Sequence, residues 1–283
     1  MTDTVGAGRT TTTTTTVPLL AGRRILVTGV LTPKSIAYNI AEGITAAGGE
    51  LVLTSFGRAM SLTERSAKRL AGTPDVLEMD VTDAAQVLAA ATEVKRRWGR
   101  LDGLVHAIGY APDDALGGNF MTTPWESVAT AFHVSAYSFK ALAAAFAPLM
   151  PAGGAMVSLS FDASRAWPQY DWMGPAKAAL EAIGRYLARD LGPKGIRVNT
   201  VAAGPLDTVA ARAIPGFNII KRWWDDQAPI GWDPGDSTPV ADAVIFLLSA
   251  WSRAITGEVM HVDGGYHSQG APGPAPRQEV ENG

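Results

Sequence analysis

The chain has 283 residues, of which 47% are hydrophobic, and its formal net charge is -3. This length suits one large α/β domain or two small ones, and the charge argues against a surface built for nucleic acid or an anionic membrane. The absence of cysteine excludes disulfides, thiolate metal ligands and cysteine nucleophiles, and no metal site is expected because the histidines are far apart in sequence (His106, His133, His261, His267).

Residues 1–20 form a polar leader that contains seven consecutive threonines, residues 10–16. The leader buries little apolar surface, so disorder is expected, although threonine also favours strands and a short β segment is the alternative. It lacks the apolar core of a signal peptide. No apolar run reaches the roughly 18 residues of a membrane span, so we expect a cytoplasmic protein that is not bound to a membrane.

Strand-like and helix-like segments alternate along the rest of the chain. The apolar segments predict strands at residues 24–28, 50–55, 76–80, 103–108, 155–159, 196–202 and 259–262. Helical patterns are predicted at residues 36–47, 63–70, 83–98 (with Asp83 near the N-cap), 125–150, 175–191 and 239–249. This alternation predicts an α/β fold, with one doubly wound parallel sheet of about seven strands and helices on both faces. We place this domain at residues 21–267 and expect a flexible tail at residues 268–283.

A dinucleotide in such a sheet binds past the carboxyl ends of the strands, at the switch point in strand order. Gly29 follows the first strand and would let the backbone approach a pyrophosphate, which backbone N–H groups around Ser35 and Ile36 would bind at the start of the first helix. Gly29 is the only glycine of an otherwise incomplete fingerprint, so an ordinary strand-to-helix turn is equally compatible with this stretch.

Three later strand ends carry further candidate residues. Phe56 could stack on an adenine and Arg58 could reach a ribose or a phosphate, or they could be a core cap and a solvated charge. Asp80, followed by Val81, could accept from the adenine amino group, or cap the next helix. The glycine of Ile108-Gly109 would let the nicotinamide ribose pass close to the backbone. The placement of all these residues at successive strand ends favours a cofactor site.

The chemistry is predicted in residues 160–177, which carry Tyr170 and Lys177. A tyrosine hydroxyl can donate a hydrogen bond or a proton to an oxygen that gains charge. A neighbouring ammonium is expected to lower the pKa of Tyr170. Seven residues make nearly two helical turns, so the two side chains are expected on one helix face. The alternative is an aromatic lid and a surface charge.

Residues from about 20 to 267 resemble a short-chain dehydrogenase/reductase and, within that superfamily, the bacterial enoyl-acyl-carrier-protein reductases of the actinobacterial type. The resemblance rests on these motifs: Val-Thr-Gly29 with Ser35-Ile36-Ala37, Leu-Thr-Ser-Phe56, Leu-Asp-Gly-Leu-Val-His-Ala-Ile-Gly109, Phe132-His-Val-Ser-Ala-Tyr137, Tyr170-x6-Lys177, Ala202-Ala-Gly-Pro205, Ala228-Pro-Ile-Gly-Trp232 and Val262-Asp-Gly-Gly265. The resemblance implies a Rossmann-like fold, a homotetramer, a reduced nicotinamide cofactor and a 2-enoyl thioester substrate on acyl-carrier protein or CoA.

The resemblance also implies roles for individual residues. Tyr170 and Lys177 would be the catalytic pair, with Phe161, Tyr170 and Met173 at the substrate. The implied cofactor contacts are Gly29, Ser35, Ile36, Phe56, Asp80, Val81, Ile108, Gly109, Lys177, Ala203, Gly204, Pro205 and Thr208. The family often has a serine where this chain has Ala107, and residues 206–224 are shorter than in members that take very long acyl chains. The resemblance favours NADH, although Arg58 would tolerate the phosphate of NADPH.

The spacing of the tyrosine distinguishes two reactions. Reductases that act on carbonyls commonly place the tyrosine four residues before the lysine, where this chain has Met173. Hydride transfer to C3 of an enoyl thioester puts charge on the distant C1 oxygen, which the displaced Tyr170 suits better. The main hypothesis is therefore an NADH-dependent enoyl thioester reductase of fatty-acid synthesis. The alternatives are a related oxidoreductase of a specialised pathway and a non-catalytic cofactor-binding regulator.

Other aromatic and histidine residues allow several interpretations. Phe161 is either core packing or a wall between nicotinamide and substrate. Residues 206–232 carry loop signals and an apolar cluster, which suits a lid over an acyl chain, a subunit contact or ordinary core (Ile214, Phe217, Trp223, Trp224). His133 is expected to be a core or loop histidine rather than a catalyst.

Overall fold

Seven parallel strands form one sheet in the order β3-β2-β1-β4-β5-β6-β7. We describe a computed structural model, covering residues 18–212 and 214–270. The strands are β1 Arg24–Thr28, β2 Glu50–Ser55, β3 Asp75–Glu78, β4 Gly103–His106, β5 Ala155–Ser160, β6 Arg197–Ala203 and β7 Val259–Val262. The predicted α/β fold with its seven-stranded, doubly wound parallel sheet is confirmed.

Helices connect the strands and cover both faces of the sheet. Their bounds are α1 Ile36–Ala46, α2 Met60–Ala67, α3 Ala84–Trp98, α4 Trp125–Phe132, α5 Ser138–Phe146, α6 Met173–Leu191, α7 Val209–Arg212, α8 Phe217–Gln227 and α9 Thr238–Leu248. The single helix predicted over residues 125–150 is interrupted by a π-helical turn, His133–Tyr137. Asp83 caps α3 as predicted, since its carboxylate accepts from the N–H groups of Ala85 and Gln86.

The two faces of the sheet bury two separate apolar cores. Successive side chains of a strand point to opposite faces, so Ile25 and Val27 join one core and Leu26 joins the other. Helices α1 and α9 cover the first face, and α3, α5 and α6 cover the second. Every residue of β5 and β6 is buried, as expected of central parallel strands that are covered on both sides.

The described chain begins within the predicted leader. Leu20, which the sequence assigned to the leader, is fully buried in the core beside α1. The threonine run and most of the predicted tail lie outside the described residues, so the disorder of the leader and the flexibility of the tail stay predictions. Within residues 18–212 and 214–270, each helix is too short or too polar to span a membrane.

Candidate active site

A cavity of about 430 Å³ opens at the carboxyl ends of β1, β4, β5 and β6. Segments of α6, α7 and α8 complete its wall. The structure brings the following predicted site residues to this cavity: Gly29, Ser35, Ile36, Ile108, Gly109, Phe161, Tyr170, Met173, Lys177, Ala203, Gly204, Pro205 and Thr208. Residues predicted from six separate stretches of sequence therefore share one space.

The cavity lies at the switch point of the sheet, where the chain leaves β1 for β2 on one side and β4 pairs with β1 on the other. The Thr28 hydroxyl donates to the Val105 carbonyl at 3.0 Å and accepts from the Ala107 N–H at 3.0 Å, which ties the two strand ends together. Gly29 follows with φ +83°, and a Cβ there would overlap the Ala107 carbonyl. Only glycine fits this close approach.

The first helix starts at the edge of the same cavity. Ser35 is the N-cap residue of α1, and its hydroxyl accepts from the N–H groups of Leu31 and Thr32 at 3.2 and 3.0 Å. The serine therefore shapes the turn after β1 rather than capping the helix with its side chain. The first N–H groups of an α-helix have no partner within the helix and favour an anion. This end of α1 suits a pyrophosphate.

Phe56, Asp80 and Val81 do not line the cavity. Phe56 is 49% exposed beyond the end of β2. The Asp80 carboxylate accepts from the N–H and hydroxyl of Thr82, at 2.9 and 2.7 Å, and Val81 is buried. Because Asp83 caps α3, Asp80 is not the helix cap that was its alternative interpretation. The cofactor contacts of these three residues stay predictions.

Lys177 lies on α6 with its ammonium directed to the end of β5. It is 8% exposed, and its Nζ donates to the Leu159 carbonyl at 2.9 Å. Burial lowers the pKa of Lys177 to about 8, while the charge of Glu181, one turn later, acts in the opposite direction. A Cβ on Gly109 would lie 3.5 Å from this Nζ, so the glycine leaves open the space beside the ammonium.

Tyr170 is also buried, but it is not on the helix. Helix α6 begins at Met173, two residues before its predicted start, and Tyr170 lies in the preceding turn. The expectation that Tyr170 and Lys177 share a helix face is therefore wrong. The expected lowering of the Tyr170 pKa is also wrong, because burial and, to a smaller extent, the charge of Glu181 raise it. The hydroxyl is accordingly held in its protonated, hydrogen-bond-donating form.

Phe161 has features of both roles considered for it, because it packs against other side chains and also forms part of the cavity wall. Its ring lines the cavity and also packs in an aromatic cluster, with centroids 5.4 Å from Tyr170, 5.1 Å from Trp167 and 5.6 Å from Trp224. The Trp224 ring stacks on Tyr266 at 3.8 Å. The cluster gives this side of the cavity a rigid aromatic wall.

The segment predicted as loop is largely helical. Phe217, Ile220 and Trp224 recur at helical spacing and form the buried face of α8, which outweighs the Pro-Gly signal before it. Ile214 and Phe217 line the cavity, while Trp224 is 1% exposed and lies behind its wall. His133 is exposed on the π-helical turn and is therefore neither a core nor a loop histidine.

Sequence reasoning missed two carboxylates close to this site. Glu181 accepts from the Ser160 hydroxyl at 2.7 Å, and Ser160 lines the cavity. Asp171 follows Tyr170 directly and binds two N–H groups of a distant loop. The spacing of four residues between Lys177 and Glu181 could have identified the first. No local signal marks the second.

No group of His, Asp or Glu that could hold a metal ion occurs in the part of the chain described.

This strand order, with a tyrosine and a lysine meeting at a dinucleotide-type cleft, defines the short-chain class of dehydrogenases and reductases. The family model described as Enoyl-(Acyl carrier protein) reductase matches residues 29–267. The chain belongs to this family of enoyl-acyl-carrier-protein reductases.

Relatives support the assignment over most of their length. The chain is 43% identical over 265 residues to an NADH enoyl-acyl-carrier-protein reductase of Mycolicibacterium smegmatis. The aligned region covers 89% of this chain and 98% of the relative. It is 40% identical over 250 residues to the Escherichia coli enzyme of the same name, covering 87% and 95%. The Bacillus subtilis enzyme of that name is 38% identical over 256 residues, covering 88% and 97%.

Proposed function

We propose that this protein uses NADH to reduce the C2–C3 double bond of a 2-enoyl thioester carried by acyl-carrier protein or CoA. The observation that carries the proposal is one cavity lined by Tyr170 and Lys177, with Met173 at the position that a carbonyl reductase gives to its tyrosine. The relatives are named as NADH enoyl-acyl-carrier-protein reductases, which supports both the reaction and NADH.

The residues present fit a dinucleotide. Gly29 and Gly109 leave the backbone open beside the cavity, and the start of α1 suits a pyrophosphate. Ala203, Gly204, Pro205 and Thr208 would line the nicotinamide half, and Lys177 would bind ribose hydroxyls. A reduced nicotinamide bound there supplies the hydride. Phe56, Asp80 and Val81 would contact the adenine half beyond the cavity.

Tyr170 would stabilise the negative charge that the reaction creates on the substrate. Reduction at C3 places negative charge on the thioester oxygen at C1, and a protonated tyrosine can donate a hydrogen bond to that oxygen. The raised pKa of Tyr170 keeps this donor protonated. Phe161 and Met173 would hold the enoyl group against the nicotinamide, in a space from which aromatic and apolar side chains exclude water.

The cellular setting forms part of the same proposal. We place the enzyme in the cytoplasm, as a homotetramer, in fatty-acid synthesis. Residues 21–267 would be the catalytic domain. The segment 206–232 would cover the acyl chain, since Ile214 and Phe217 line the cavity from it.

Separate assays of two possible substrates test the proposal. The loss of nicotinamide absorbance is followed with a short 2-enoyl thioester and, separately, with the matching 3-oxoacyl thioester. Turnover of the enoyl compound alone is expected. Turnover of only the oxo compound would replace the proposal with carbonyl reduction, and binding of NADH without turnover of either thioester would favour a non-catalytic regulator.

A further inference from the structure

Tyr170 lies between two residues in an unfavourable backbone conformation. Gln169 has φ +61° and Asp171 has φ +39°, both in the left-handed region that residues with a Cβ rarely adopt. Such conformations persist only where the surroundings hold them. The turn that presents Tyr170 therefore depends on contacts from elsewhere in the chain.

Those contacts come from residues 115–120, which we call the clamp segment. Asp171 Oδ2 accepts from the N–H groups of Gly118 and Asn119, at 2.6 and 2.9 Å. The turn is also held by three further hydrogen bonds, Gly117 N–H to the Gln169 carbonyl (3.0 Å), Trp172 N–H to the Ala115 carbonyl (3.2 Å) and Trp172 Nε1–H to the Phe120 carbonyl (3.0 Å). The Phe120 and Trp172 rings stack at 4.7 Å.

Asp171 is the one member of this contact that binds through an ionisable side chain. Gly117 and Gly118 have φ +80° and φ +94°, and the two successive N–H groups after Gly117 converge on a single carboxylate oxygen. Hydrogen bonds to a charged acceptor are about twice as strong as neutral ones. The other hydrogen bonds use backbone groups or Trp172, so a substitution at Asp171 tests the clamp most directly.

We propose that Asp171 is a positioning residue of the reductase, which holds Tyr170 at the cavity wall through its hydrogen bonds to Gly118 and Asn119. This role rests on the proposed function, because it acts on the residue assigned to the thioester oxygen. Asp171 itself does not line the cavity. Tyr170 is its direct neighbour in the chain, so we expect its effect on the reaction to pass through Tyr170.

Three substitutions separate the carboxylate from the backbone conformation. Asp171→Asn keeps an oxygen acceptor and tolerates the left-handed region, so turnover within about threefold of the parent is expected. Asp171→Gly removes the acceptor and relieves the strain, and Asp171→Ala removes the acceptor and keeps the strain. We expect both to lower kcat roughly 10- to 100-fold, the scale of a displaced catalytic group, while the KM for NADH changes less than about twofold.

A matched control is Asp236→Ala, which removes an exposed carboxylate that accepts from the Thr238 N–H at 2.8 Å and does not line the cavity. Turnover is expected to stay at the parent level. The decisive comparison repeats Asp171→Ala in the Tyr170→Phe background, where we expect less than about a twofold further loss. An equal loss in both backgrounds, or parental turnover of Asp171→Ala, would overturn the proposal.

A readout independent of activity distinguishes failure of this proposal from failure of the proposed function. With all six tyrosines replaced by 3-fluorotyrosine, the Tyr170 fluorine signal is identified by its loss in Tyr170→Phe. Asp171→Ala is expected to shift or broaden that signal, and Asp236→Ala to leave it unmoved. An unmoved Tyr170 signal in Asp171→Ala would refute the positioning role even if no thioester is turned over. A shifted signal in a protein that is inactive on enoyl thioesters would refute the proposed function but support the positioning of Tyr170 by Asp171.

Discussion

The rings of Phe161 and Tyr170 meet edge to face, with centroids 5.4 Å apart and planes at 65°. Phe161 leaves the end of β5 and Tyr170 precedes α6, so the contact joins the two ends of one strand-to-helix connection across the cavity wall. Such edge-to-face pairs are favoured beyond their buried area. The ring of Tyr170 is therefore fixed independently of its hydroxyl.

Replacing Tyr170 by phenylalanine removes the hydroxyl and keeps this ring contact. We expect kcat for a 2-enoyl thioester to fall roughly 100- to 10,000-fold, the range of a lost proton or hydrogen-bond donor. The affinity for NADH, measured by fluorescence titration, is expected to stay within about twofold, because the proposed cofactor contacts lie elsewhere. Unchanged turnover would remove Tyr170 from the mechanism.

Because the pKa of Lys177 is lowered to about 8, its side chain loses its positive charge in mildly alkaline solution. A base is charged below its pKa, so the ammonium that would bind the ribose is lost as pH rises through about 8. We expect kcat/KM for NADH to fall across that range, and Lys177→Arg to keep a flat profile because a guanidinium stays charged. A wild-type profile that is flat to pH 10 would contradict the assigned role.

Glu181 affects the pH at which Lys177 loses its charge, since the negative charge of Glu181 raises the pKa of Lys177. Its carboxylate accepts from Ser160 and also faces Asp162, Arg185 and His261. Glu181→Gln removes the negative charge and keeps an oxygen acceptor, so the fall of kcat/KM should move to lower pH. The control is Glu64→Gln on the exposed surface of α2, which should leave the profile in place. A move to higher pH in Glu181→Gln would contradict the electrostatic argument.

Gly29 and Gly22 form a matched pair for the close approach of β1 and β4. Both have positive φ, but a Cβ on Gly22 meets nothing within 4 Å, whereas one on Gly29 overlaps the Ala107 carbonyl. We expect Gly22→Ala to lower the free energy of unfolding by about 1–2 kcal/mol, the scale of an unfavourable left-handed residue. Gly29→Ala should lose a further 1–3 kcal/mol or so from overpacking, together with NADH affinity. Urea unfolding and NADH titration measure both; equal losses would argue against the steric contact.

Patterns within a few residues predicted the fold well. The central strands β5 and β6 are buried at every position because both their faces are covered, and their apolar residues made them recognisable from sequence alone. The cap at Asp83 also follows from local chemistry. These features depend on backbone rules that hold wherever the segment is placed.

Features created by distant contacts were not predictable. Tyr170 and Lys177 were expected on one helix face because their spacing suits a helix, but the clamp segment, whose Gly118 and Asn119 precede Asp171 by 53 and 52 residues, holds the turn in another conformation. The segment with α8 was expected to be loop, because Gly and Pro signals masked the spacing of Phe217, Ile220 and Trp224. The burial that raises the pKa of Tyr170 likewise follows only from assembly of the whole site.

The partner that holds the Lys177 ammonium is the carbonyl of Leu159, an atom that every amino acid would supply at that position. Random mutation can alter the side chain at 159 without deleting this acceptor. Selection therefore needs to preserve only the lysine and the path of β5, which leaves neighbouring side chains free to diversify. An enzyme anchored in this way can change its preference among acyl chains over evolutionary time while Lys177, the residue proposed to bind the cofactor, stays in place.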